Sequence, residues 1–258
     1  MTSLSAPVPA HLLAWAMTVV FIAGIVRGFA GFGFSALCIA GLALVLPPAL
    51  VVPPIFVLEV LASISLLRGA WPQADWAWLR PLLVGNALCI PLGVALLAWL
   101  PEGPLRVLIG ALLLAAAGAA RLGWVVNLQP TARLRFGAGL VSGVFNGVAA
   151  IGGTALAVLL NTTAMPPAAM RATMIVLFLF TDLYALAVAA WMPLGHAGGE
   201  LFGLQSLRWA AWLLLPMLAG IALGHRGFAG VAPERFRAIV LDALLVIAAL
   251  GLARGLFA

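Results

Sequence analysis

Long apolar runs separated by short polar turns dominate the chain, and their lengths set the first expectations. Ten such runs fall at residues 12–30, 33–46, 50–68, 79–100, 104–123, 134–147, 152–163, 168–191, 206–225 and 234–255. Several are long enough to cross a hydrocarbon core about 30 Å thick, which takes roughly 20 helical residues. The runs at 134–147 and 152–163 are too short to span at about 1.5 Å per residue, so they are expected to re-enter or to stand as two short, steep helices. The pattern predicts an all-α polytopic membrane protein.

The runs also repeat. Ala23-Gly24-Ile-Val-Arg27-Gly28 aligns with Ala138-Gly139-Leu-Val-Ser142-Gly143, and after a short length difference Gly33-Phe-Ser35-Ala-Leu aligns with Gly152-Gly-Thr154-Ala-Leu. The register continues through Pro47-Pro48-Ala49 on Pro166-Pro167-Ala168 and Pro101-Glu102 on Pro233-Glu234. Residues 1–123 are therefore expected to form a first membrane repeat, 124–133 a linker and 134–258 a second repeat. Three or five crossings per half would turn one repeat over relative to the other, giving inverted-topology repeats with short, Gly-rich helices at the centre. Arginine placement favours that count. Arg68, Arg80, Arg121, Arg133, Arg135, Arg171, Arg226, Arg235 and Arg237 then collect on one side, and only Arg106, Arg208 and Arg254 on the other. The positive-inside rule puts the first set in the cytoplasm and both termini outside.

Composition agrees with a membrane and excludes a wetted globule: 65% of residues are hydrophobic and 8% charged, against about 25% charged in soluble domains. It also disposes of Gly31-x-Gly33-x-x-Ala36 as a dinucleotide loop, because no soluble βαβ unit surrounds it. The net charge of +6, all from arginine on the basic side, reports loop orientation rather than nucleic-acid binding. No Lys or Arg precedes Arg27, so the first segment is expected to be retained rather than cleaved as a signal peptide. Cys38 and Cys89 read as packing residues, and no metal or cofactor is expected. His11, His196 and His225 lie near segment ends, as do most of the tryptophans.

Glycine-rich breaks at matching positions of two halves point to a transport site near the bilayer midplane. In Gly28 to Ala36, and in Gly143 to Thr154, the backbone can leave one helix and begin another, whose free N–H groups suit an anion. The candidate substrate-binding residues are Arg27, Gly31, Gly33, Ser35, Asn146, Gly152, Gly153 and Thr154. Gly24, Gly28, Gly139 and Gly143 instead fit the small-x-x-x-small pattern of close helix packing. Arg27, Glu59 and Asp182 fall inside apolar segments, where a charge is costly enough to mark function. Arg27 can serve the anion, pair with Glu59, or do both, and Glu59 and Asp182 are candidates for coupling or ion pairing. Asp242 is expected to pair with an arginine. Two rival readings remain: an intramembrane serine protease built on Ser35 or Ser142, and a structural membrane subunit. Neither H-E-x-x-H nor G-x-S-x-G occurs, and no histidine sits mid-helix to act as a base.

The Gly24 to Phe34 run, Ser142-Gly143-x-x-Asn146-Gly147 with Ile151-Gly152-Gly153, the Pro-Pro turns and Met170-Arg171-Ala172-Thr173 together resemble the TauE/SafE family of sulfite and organosulfonate exporters. The resemblance runs from about residue 12 to 255. It implies a non-enzymatic, multi-pass permease of the plasma (inner) membrane that exports small sulfur-containing anions. Its partners would be the anionic substrate and the lipid bilayer, with room for a homodimer and no nucleic acid. The chain departs from the family at Thr154, where proline commonly follows the Gly-Gly pair, and at Phe34-Ser35, where many members continue with glycine.

Overall fold

A computed structural model describes residues 9–122, 131–160, 165–194, 200–227 and 233–257. Trp124, His196 and most of the linker lie outside these. Each apolar run forms a helix: α1 Ala10–Ala30, α2 Phe34–Leu42, α3 Pro48–Ala70, α4 Trp76–Trp99, α5 Glu102–Arg121, α6 Ala132–Ala149, α7 Gly152–Leu160, α8 Pro167–Trp191, α9 Leu204–Gly227 and α10 Pro233–Phe257. Seven of them (α1, α3, α4, α5, α8, α9 and α10) are both long and apolar enough to cross a membrane. Large apolar side chains such as Trp191 and Leu215 face outward, while Arg27, Glu59 and Asp182 are buried. That distribution suits lipid outside and a polar interior.

Local chemistry sets the helix ends. Asp75 caps α4 by accepting from the N–H groups of Ala77 and Trp78, and Thr131 caps α6 by accepting from Leu134. Gly31 (φ +81°) closes α1, and Gly33 (φ +90°) precedes α2, so two left-handed residues make the first break. The second break is closed by Ala150 at φ +56°, a conformation that costs an L-residue about 1–2 kcal/mol. The first break leads into α2 and the second into α7.

Helices from the two halves interleave. α1 packs on α9, α4 on α6, α3 on α8 and α5 on α10. Glycines set two of these seams. A Cβ on Gly24 would meet Met217 O and Gly220 Cα, and one on Gly28 would meet Ile221 O, so α1 and α9 run parallel at backbone contact. Gly85 faces Phe136 and Leu140, while Gly93 faces Val144 and Gly147, so α4 and α6 are likewise parallel. Gly110 lies against Leu252 and Gly118 against Leu245, which makes α5 and α10 antiparallel. Gly24, Gly28, Gly139 and Gly143 are thus packing positions, as the small-residue pattern indicates.

Side-chain contacts define two ends. At one, Arg135 donates to Ala77 O (2.9 Å) and lies over the Trp78 ring, Asp75 N–H donates to Thr173 Oγ1, and Arg121 pairs with Asp242. Arg68, Arg80 and Arg133 are exposed near the same helix ends. At the other, Arg106 donates to the carbonyls of Ala43 and Leu46, Arg254 to Leu44, and Trp99 Nε1 to Pro193 O.

Candidate functional site

The two breaks meet around Arg27. Its side chain is fully buried, and Nη2 reaches Glu59 Oε2 at 3.2 Å and donates to Ser63 Oγ at 2.9 Å. Glu59 Oε1 in turn accepts from the backbone N–H of Ser35 at 3.1 Å. The first turn of α2 therefore already holds an oxyanion, and that oxyanion belongs to the protein. A carboxylate at a helix N-terminus and beside a guanidinium gains from both the free N–H groups and the opposite charge.

The second break reaches Arg27 through Phe178. The guanidinium carbon stacks 4.8 Å from the centre of the Phe178 ring. A Cβ on Gly153 would lie 2.1 Å from Phe178 Cζ, so the glycine at the start of α7 is where this ring fits. In the repeat register Phe178 replaces Glu59 and Asp182 replaces Ser63. Arg27 thus lies between a carboxylate from α3 and the ring that stands in that carboxylate's place on α8.

Beyond Phe178, Asp182 Oδ1 accepts from Asn146 Nδ2 at 2.8 Å. Ser142, the counterpart of Arg27, has its hydroxyl within reach of Asn86 Oδ1 and Gly152 O. Gly152 is tight as well, because a Cβ there would sit 2.6 Å from Ser142 O. Ser142 bonds to an amide and a carbonyl rather than to a base. Several buried atoms of this cluster have no hydrogen-bond partner: Arg27 Nε and Nη1, Asn146 Oδ1 and Asp182 Oδ2. A buried donor or acceptor left unpaired costs about 1–3 kcal/mol, so such a group marks a place where a further polar molecule would be stabilising.

Gly31, Gly33 and Thr154 face elsewhere. A Cβ on Gly31 would lie 2.3 Å from Arg171 Cγ, so this glycine is the notch for the stem of Arg171, whose Nη2 donates to Gly28 O at 2.9 Å. Gly33, Thr154 and Arg171 line a cavity of about 530 Å³. Thr154 spends its hydroxyl proton on Ile151 O. The sequence placed Arg171 in a family motif and among the arginines of one side, but did not single it out for the site. Phe178 and Asn86 were not singled out at all.

A chain of this architecture matches one family model, described as Sulfite exporter TauE/SafE, over residues 16–252. The chain belongs to the TauE/SafE family. TauE/SafE is a family of membrane transporters, which fits the seven membrane-capable helices and the polar cluster enclosed by them. No curated protein and no solved structure matches this TauE/SafE chain.

Proposed function

We propose that this protein is a secondary transporter that exports sulfur-containing anions, sulfite or organosulfonates, across the plasma membrane. The observation that carries the proposal is the seat of Glu59: Arg27 and the N-terminus of α2 hold a carboxylate in the protein interior. A site built for one oxyanion accepts another. The substrate displaces Glu59 from Ser35 N–H and takes up the unused Nε and Nη1 donors of Arg27. Gly31, Gly33, Asn146, Gly152, Gly153 and Thr154 shape the two breaks beside that seat, with Glu59 and Asp182 as the charges that adjust when it fills. Outward movement of one negative charge down 100 mV gains about 2.3 kcal/mol, so the potential alone can drive export.

The architecture we propose is two inverted repeats, residues 1–123 and 134–258. Its support is the antiparallel course of α5 and α10, which are repeat counterparts, and the exchange of α1–α9 for α6–α4 when the halves are swapped. The arginine-rich end is then cytoplasmic. The homodimer has no support in the described residues and forms no part of the proposal.

Two experiments test this. Purified protein in liposomes should pass sulfite and short sulfonates, and Arg27→Gln should reduce flux at least 100-fold while the protein still elutes as a folded species. Unchanged flux in the folded variant would dismiss Arg27 as a binding residue. For topology, single cysteines at Gln73 and Arg133 should label from the inside, and one at Trp191 from the outside, after Cys38 and Cys89 are replaced. Labelling of Arg133 and Trp191 from the same side would exclude the proposed topology.

A further inference from the structure

The 530 Å³ cavity is distinct from the seat of Glu59, and its chemistry is lopsided. Val26, Phe29, Leu113, Ala117, Leu241 and Leu244 make a wall of hydrocarbon drawn from α1, α5 and α10. Among the described residues lining it, Arg171 carries the one charge, with Thr154 and the backbone of Gly33 beside it. Arg171 is anchored through Nη2 to Gly28 O, and its buried Nε has no partner. Its stem is held in the Gly31 notch. The same arginine also lines a second cavity, of about 220 Å³, with Gln73 and His225 at the arginine-rich end. Arg171 therefore borders both cavities, and its guanidinium is hydrogen-bonded to the residue that follows Arg27.

Size and lining speak against a bare inorganic oxyanion as the occupant. A water molecule takes about 30 Å³ of liquid, so an anion of four heavy atoms, a few times that at most, leaves most of the cavity unfilled. Chambers of roughly 300–1,000 Å³ with an apolar wall and few polar groups house organic ligands. A strongly hydrated ion placed against leucine and phenylalanine would lose its water with nothing in exchange. An anion with a hydrocarbon body offsets the desolvation of its head, since its tail leaves water as its head meets the guanidinium.

We infer that the cavity is a binding site for an amphiphilic organic anion, an oxyanion head on Arg171 and an unbranched apolar body against α5 and α10, and that it loads this anion onto the path toward Arg27. The inference rests on the transporter reading and extends its substrates beyond sulfite and short sulfonates to organosulfonates with a longer apolar body.

The test is binding of sodium alkanesulfonates of one to ten carbons, and of sulfite, to the full chain in nanodiscs, at constant ionic strength. Dissociation constants should fall about fourfold per added methylene until the chamber is full, the factor expected for burying each CH₂. Sulfite should not compete with octanesulfonate, and an alkyltrimethylammonium of equal length should not bind above its partition into empty nanodiscs. Arg171→Gln should weaken every chain length by roughly 10- to 100-fold while leaving the slope with length intact. Because Arg171 also braces α1, a second variant guards the result: Ala120→Phe, on the cavity wall, should keep ethanesulfonate and lose the gain beyond a few carbons. A flat dependence on chain length, or equal binding of the cationic amphiphile, would overturn the inference. If Arg27-dependent sulfite flux persists alongside that flat dependence, only the amphiphile site fails. Steep chain-length dependence with no flux of any anion would keep the site and remove the transporter reading.

Discussion

Glu59→Ala should cost this protein about 3–5 kcal/mol of stability, the penalty for leaving one member of a buried ion pair without its partner. Arg27 has no route to water: its side chain is wholly buried, and it lies between Glu59, Ser63 and Phe178. Removing the carboxylate also frees the Ser35 N–H inside the protein. Arg27→Met together with Glu59→Leu should recover most of the loss, because the pair's attraction was opposed by its own desolvation. Additive losses in that double variant would mean that the two charges are not coupled. The single variant Glu59→Ala also examines function. With Glu59 gone, the seat at the start of α2 is vacant, and a substrate anion that fits it should restore stability in proportion to the logarithm of its concentration. Anions that are transported but fail to rescue Glu59→Ala must bind elsewhere.

Gly147→Val is expected to cost about 3 kcal/mol or more, at the upper end of overpacking penalties. The new Cβ would lie 2.4 Å from Ile90 O and 2.8 Å from Gly93 Cα, both of them backbone, so no side chain can swing aside and α6 must leave α4. Gly137, on the same helix, has nothing within 4 Å of its Cβ direction. Gly137→Ala should therefore stabilise by about 0.5–1 kcal/mol, through lower unfolded-state entropy alone. Unfolding in mixed micelles measures both, and equal effects would show that the seam is not set by backbone contact.

Much of this fold was legible in one dimension because a membrane enforces length. A run such as residues 79–100 has to be a helix if it is to leave no backbone group unpaired in lipid, and α4 spans Trp76–Trp99. The first break was legible through glycine, which lets the chain leave one helix and begin another, and Gly31 and Gly33 do so with left-handed backbone. Ala150, at the second break, was not, since nothing about alanine announces φ +56°. The Arg27–Glu59 pair could be named from sequence because two charges in apolar runs have few alternatives. What could not be read was direction. Whether Glu59 points at solvent, at a substrate or at the N–H of Ser35 depends on how α3 rotates against α2. Arg171 escaped for a related reason: it stands in the first turn of a helix, where arginines ordinarily face the interface, and only the notch at Gly31, 140 positions earlier in the chain, turns it inward. Gly152 and Gly153 carried two meanings that spacing cannot separate, and both press against neighbours, Ser142 and Phe178.

The interleaving of the halves bears on how the chain is made. The glycine face of α1 finds its cover on α9, at Gly220 and Gly224, about 200 residues further along. At 5–20 residues per second, ribosomes need roughly 10–40 s to deliver that partner after α1 emerges. Throughout that interval the first helix sits in the bilayer with its small-residue stripe bare, and for most of it Phe178 is not yet synthesised, although Glu59 follows Arg27 within seconds. The early ion pair is what can shelter the arginine while the seam waits. A chain halted between the repeats would carry two unmatched glycine faces, α1 without α9 and α4 without α6. Helices early in the chain therefore depend for their packing on helices made late in it.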